Sequence, residues 1–250
     1  MHIKRLATAS LFCYNFKNEQ FLKFKQTFLK RGCIMELKGK IINFLGDSIT
    51  RGYGVEREEN VYHQRIKSRF GLAAANNYGI SGTRIAKQRK PSAVASYDRY
   101  FSSRIDELDE KADAVVVFGG VNDWIHGDAP RGKMEDRTVD TFCGGLHVLY
   151  EGLIKKYPGK PIVVVTPLQC NLGLDSFEKP DGVFVLDDYV DIIRKVAKFY
   201  SLAVCDMRNL SGIDPKIPSN KEAYAPDGLH PNDAGHEIIA EILGDFLYNL

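Results

Sequence analysis

From Lys40 onward, short apolar runs alternate with stretches in which apolar positions recur every three or four residues. Residues 40–45, 114–118, 162–165 and 202–205 are apolar and largely free of polar alternation, the pattern of strands buried on both faces. Residues 73–78 predict a weaker strand that ends in the turn Gly79-Ile80-Ser81-Gly82. Helical spacing predicts helices over 58–70, over 97–109 with Tyr100, Phe101, Ile105 and Leu108 inward, between 137 and 157, and over 186–200. Pro231 disfavours α geometry at His230, so a last helix starts after it, capped by Asn232 or Asp233. Its stripe is Ile238, Ile239, Ile242, Leu243, Phe246 and Leu247, whereas 168–182 reads as a loop.

Apolar strands separated by helices imply a parallel sheet with helices on both faces. The fold class expected is one three-layer α/β/α domain over residues 35–250, with a parallel five-stranded, flavodoxin-like sheet. At 250 residues the chain is long enough to bury a large core. Ligands of such sheets bind beyond the C-terminal strand ends. Ser48 follows the first strand, Gly82 the second and Asn122 the third, and the loop with Asp227 and His230 follows the fifth. Four segments distant in sequence are thus expected on one edge.

Charge separates the start of the chain from the rest. Residues 1–34 carry seven of the 34 Lys and Arg but one of the 32 Asp and Glu, leaving 27 basic against 31 acidic residues, a net of −4, in the remainder. That mildly acidic body argues against a nucleic-acid partner. The first 34 residues are expected to be an accessory extension, or to lie upstream of a working start at Met35. A membrane-surface helix with Phe21, Leu22, Phe24, Phe28 and Leu29 on one face is the other reading. No apolar run approaches the roughly 20 residues that span a bilayer. Cys13, Cys33, Cys143, Cys170 and Cys205 form no CxxC pair, so free thiols and a cytoplasmic location are expected. The six histidines show no metal-ligand spacing, and no cofactor is expected.

Gly46-Asp47-Ser48-Ile49-Thr50 carries the candidate chemistry. Alone, a serine at a strand end either caps the next helix or acts as a nucleophile. A phosphate-binding loop would end in Gly-Lys-Ser/Thr, and an α/β-hydrolase elbow would place glycine where Thr50 stands, so neither fits. Asp227-Gly228-Leu229-His230 supplies a base and a base-orienting carboxylate, in the chain order Ser, Asp, His.

With these blocks the chain resembles the SGNH hydrolases, also called GDSL esterases and lipases. The resemblance rests on Gly46-Asp47-Ser48, on Gly82 in Gly79-Ile80-Ser81-Gly82-Thr83, on Gly120-Val121-Asn122-Asp123, and on Asp227-Gly228-Leu229-His230 followed by Pro231-Asn232. It covers about residues 38 to 248. It implies Ser48, Asp227 and His230 as a catalytic triad, with Ser48, Gly82 and Asn122 as oxyanion donors. Asp47, Trp124 and His126 are expected near the substrate pocket. His63, His147 and His236, on the predicted helices, read as packing or surface residues. The expected activity is that of a serine ester hydrolase, on a short acyl group carried by a small alcohol or carbohydrate, because the insert 124–136 is polar. An acyltransferase with the same triad, a lysophospholipase, a thioesterase and a non-catalytic binding module on this fold are the competing readings.

Overall fold

The computed structural model describes residues 36–250, and the expectations placed on residues 1–34 lie outside them. The unit that carries the site runs from Leu37 to Phe246; the other, Met1–Glu36 with Leu247–Leu250, is described only at its last five residues. In chain order the elements are β1 (Ile41–Gly46), α1 (Ser48–Arg51), α2 (Tyr62–Phe70), β2 (Ala74–Gly79), β3 (Ala114–Phe118), α3 (Val121–His126), α4 (Phe142–Lys156) and β4 (Ile162–Val165). There follow β5 (Phe177–Lys179), β6 (Gly182–Phe184), α5 (Leu186–Phe199), β7 (Ala203–Cys205), α6 (Met207–Leu210), α7 (Pro218–Tyr224) and α8 (Asp233–Tyr248). Short 3-10 turns occupy Glu58–Asn60, Ala95–Asp98 and Phe101–Glu107.

The central sheet is parallel throughout, in the order β2-β1-β3-β4-β7. That is the doubly wound order in which the chain reverses direction between β1 and β3, so a crevice opens there at the strand C-termini. The fold is therefore the expected three-layer α/β/α domain.

Strand side chains alternate between two cores. Val115, Val117 and Val164 join Leu146, Leu149, Tyr189, Val190 and Ile193 of α4 and α5. Phe44 meets the Tyr62 ring edge-on at 5.7 Å on the α2 side. All these side chains are 2% exposed or less, which is why the sheet tolerates almost no polar residue. The exception is Asn43, also fully buried, which donates to the Asp109 carbonyl and Tyr157 hydroxyl and accepts from Asn76.

Two expectations are corrected. The helix read over 97–109 is instead two 3-10 turns. Phe101 and Arg104 are both buried, and their spacing of three suits 3-10 geometry, in which such residues eclipse. The loop read over 168–182 contains β5, which pairs antiparallel with β6 through the Pro180-Asp181 turn. Val121–His126 forms the short helix α3, which carries Asn122.

Candidate functional site

The first requirement is a serine held at a strand end. Gly46 closes β1, and a Cβ there would lie 1.9 Å from Thr50 Oγ1, so only glycine lets the chain double back this tightly. Asp47, not Ser48, is the helix cap: its carboxylate accepts from the Ile49 amide at 3.1 Å. Ser48 is thereby released from capping and begins α1, where helical amides have no partner within the helix. Thr50 is locked by Tyr62, whose hydroxyl lies 3.0 Å from Thr50 Oγ1, and by His63, whose Nε2 donates to the Thr50 carbonyl at 3.1 Å.

Ser48 Oγ lies 3.0 Å from His230 Nε2, and His230 Nδ1 lies 2.6 Å from Asp227 Oδ2. The other oxygen of Asp227 accepts from the amides of Leu229 and His230, at 2.8 and 2.7 Å. Partial burial raises the Asp227 pKa, but these hydrogen bonds outweigh it and hold the carboxyl below its ordinary value. The carboxylate is therefore ionised at neutral pH and fixes Nδ1 as the protonated ring nitrogen, leaving Nε2 to accept from Ser48. Tyr53, outside the sequence-based candidates, leans on the His230 ring at 4.3 Å between centroids.

The loop after β2 holds Gly82 at φ +73°, and a Cβ there would come within 2.6 Å of the Tyr97 ring. Asn122 is 3% exposed and donates through Nδ2 to the Thr83 carbonyl at 3.0 Å, which orients the amide and leaves its second N–H. Asp123 takes the amides of Ile85 and Ala86, both at 2.9 Å, and so clamps the same loop to α3. Arg104 is 2% exposed and donates to the carbonyls of Tyr78 and Gly46 and to Thr83 Oγ1. One guanidinium thus ties the ends of β1 and β2 to the Gly82 loop. Nothing in the sequence around Arg104 signals that role.

Burial pushes the Asp47 carboxyl up to about 7 and that of Asp123 up to about 6. Asp47 also borders a small enclosed cavity with Val121, Leu168 and Leu229. Its free volume is about 10 Å3, close to the minimum for one water. A cavity of about 870 Å3 beside α2 and α8 is lined by none of the site residues. Trp124 is not at a pocket mouth: it is 3% exposed and its indole donates to the Phe184 carbonyl, beneath the β5–β6 hairpin. His126 lies at the edge of the Gly82 loop, where desolvation and the Arg84 and Lys179 cations push its imidazole down to about 4. His63, His147 and His236 are fully buried packing residues. Among the described residues no group of three or more His, Cys, Asp or Glu is placed to hold a metal ion, and no helix is long and apolar enough to cross a membrane.

Residues 44–238 match the model of the GDSL-like lipase/acylhydrolase family. The chain is 26% identical over 212 residues to an acetylxylan esterase of Xylanibacter ruminicola, covering 80% of this chain but 41% of that protein. It therefore spans about two-fifths of that relative's length. A Lactobacillus plantarum protein of known structure is 31% identical with a TM-score of 0.72, over 84% of this chain and 97% of the other. A lipase/acylhydrolase from Enterococcus faecalis shares the fold at 21% identity, with a TM-score of 0.56 over 84% of this chain and 95% of the other.

Proposed function

The chain belongs to the GDSL-like lipase/acylhydrolase family and is a hydrolase of the esterase/lipase type; from that premise we propose that it removes a short acyl group, acetyl first, from a polar alcohol or saccharide. The observation that carries this reading is the continuous line Ser48 Oγ, His230 Nε2, His230 Nδ1, Asp227 Oδ2. In the proposed reaction His230 takes the Ser48 proton as Oγ attacks the ester carbonyl carbon. The resulting oxyanion lies against the amides of Ser48 and Gly82 and the Asn122 side chain. Collapse expels the alcohol, which leaves with the proton held by His230. Water, deprotonated by the same imidazole, then releases the acid from the acyl-Ser48 ester.

The polar insert 124–136 after β3 supports the small acyl group, since its Asp128, Arg131 and Lys133 offer no wide apolar surface to a long alkyl chain. The acetylxylan esterase relative supports a saccharide on the alcohol side. Hydrolysis rates of aryl esters of increasing acyl length test the reading. Acetate is expected to be cleaved fastest, with a steep fall by hexanoate; a rate that rises with chain length overturns it.

A further inference from the structure

Resting on that reading, we propose that Tyr53 is a positioning residue for His230: its ring keeps the imidazole turned toward Ser48 and steadies it while it carries the proton. Tyr53 is 57% exposed, so its side chain adds little to the core. It nevertheless lies on the His230 ring, at 4.3 Å between centroids and 54° between planes. Its hydroxyl has no hydrogen-bond partner among the described residues, so the aromatic ring alone makes this contact.

The segment that carries the ring is fastened to both sides of the site. The Tyr53 amide donates to the Ser48 carbonyl at 2.9 Å, which ties its backbone to the nucleophile's own residue. Gly54 follows at φ +97°, and a Cβ there would lie 2.5 Å from the Pro231 carbonyl oxygen. Only glycine therefore lets this turn close on the histidine loop. Further along, the Glu56 amide donates to one carboxylate oxygen of Asp233 at 3.1 Å, and Asn60 Nδ2 donates to the other at 2.6 Å. Residues 53–60 thus strap the serine turn to the start of α8, and Tyr53 is the side chain that this strap lays on the base.

His230 needs that support because its hydrogen bonds alone do not hold it through the reaction. Asp227 fixes Nδ1, but a single hydrogen bond leaves the ring free to rock about that contact. The bond from Ser48 Oγ, at 3.0 Å, is given up when Oγ bonds to the acyl carbon and its proton passes to Nε2. Until that proton goes to the departing alcohol, the Tyr53 contact persists. At 4.3 Å it also falls within the roughly 6 Å over which an aromatic ring attracts a cation, so it strengthens as His230 becomes charged. A contact stronger in the transition state than in the ground state raises kcat. A tyrosine that stacked on the substrate would show itself in KM instead.

Three variants test this on a short aryl acetate. Tyr53→Ala should lower kcat about tenfold, and Tyr53→Leu, which keeps bulk without the aromatic quadrupole, about threefold. Tyr53→Phe keeps the ring and should restore kcat to within about twofold of the parent. KM should stay within about twofold throughout. The thermal midpoint should not move, because the side chain is more than half exposed. The Nδ1 proton of His230 gives a readout without turnover: its NMR signal should broaden by water exchange in Tyr53→Ala and persist in Tyr53→Phe. Parental kcat in Tyr53→Ala, a loss carried by KM, or a loss that Tyr53→Phe shares in full overturns the proposal. If Tyr53→Ala melts early, Tyr53→Leu and Tyr53→Phe decide by the same criteria. Absence of aryl acetate hydrolysis in the unaltered protein would overturn the esterase reading instead, with the Nδ1 proton still deciding the role of Tyr53.

Discussion

The serine turn and the histidine loop meet at one hydrogen bond but are held by opposite means. The serine side is fixed by the core: Ser48 is 7% exposed, Thr50 is fully buried, and Tyr62 and His63 of α2 grip the turn from below. The histidine side is fixed by short local bonds near the surface. There the Asp227 side chain is 48% exposed, its oxygens are filled by residues two and three positions on, and the Gly228 carbonyl accepts from the Asn171 amide. Asn232 then caps α8 by accepting from the Gly235 amide. In the proposed reaction the nucleophile must not move, whereas the base must rotate and trade protons, and each side has the support that reading requires. Damage to the core beneath the serine turn should therefore cost stability first, while damage to the histidine side should cost activity first.

The sharpest break is chemical. Ser48→Ala should lower kcat by about 10⁶ with no change in the thermal midpoint, since the hydroxyl carries no helix-capping load. Residual turnover of a short aryl ester near the unaltered rate would sink the assignment. On the opposite side Asp227→Asn should cost about 10⁴ in kcat, because the amide favours the wrong imidazole tautomer. Its melting curve should stay close to that of the parent protein; cooperative unfolding at much lower temperature would show that the loop is load-carrying after all.

Between the two sides, Asn122→Ala should lower kcat by about 10²–10³ with little change in KM, the signature of a contact made to the oxyanion. An equal rise in KM would instead mark a ground-state contact. Tyr62→Phe then separates core support from local support. Removing the hydroxyl that meets Thr50 should cost about 1 kcal/mol in denaturant unfolding and only a few-fold in rate. A rate loss without a stability loss would put Tyr62 on the histidine side of the comparison.

The smallest effect on rate is expected from Asp47→Asn, which keeps the capping oxygen but removes the titration. Because burial pushes this carboxyl from 3.8 up to about 7, the folded protein holds a proton that the unfolded chain releases between those values. Its contribution to stability is present at acid pH and is lost as pH rises through about 7. The variant should therefore gain over the parent by up to about 1.4 kcal/mol for each pH unit across that window. His63 and His236 act with the opposite sign. Burial pushes them from 6.5 down to about 4 and about 3, so stability falls as pH drops below 6.5, in the variant and parent alike. Melts at pH 5 and pH 8 check both: a variant advantage that grows toward acid pH would contradict the burial argument.

What could be read from the chain followed the same division. The sheet was legible because Val115–Val117 and Val163–Val165 tolerate only burial, and the candidate triad because nucleophile, base and carboxylate stand in short motifs. Asp47 as the true cap was not legible, since both Asp47 and Ser48 are good capping residues and only backbone geometry separates them. Arg104 was missed because its partners, Tyr78, Gly46 and Thr83, are distant in sequence. The β5–β6 hairpin did leave a signal in Pro180-Asp181-Gly182, a turn sequence flanked by Phe177 and Phe184, which pair across it. Its strands of three residues are too short for periodicity to speak. Trp124 needed that hairpin to be placed: without β6 there is no carbonyl for its indole and no reason to bury it.

The bond between Ser48 and His230 joins residues 182 positions apart. Closing so long a segment gains nothing until the intervening strands have paired, so the catalytic contact belongs to the end of assembly rather than its beginning. A chain emerging from the ribosome is consequently inert through β7, and a refolding population becomes active only as its last loop docks. The proposed ester turnover would thus be a clock for the completion of folding, set by its slowest contact.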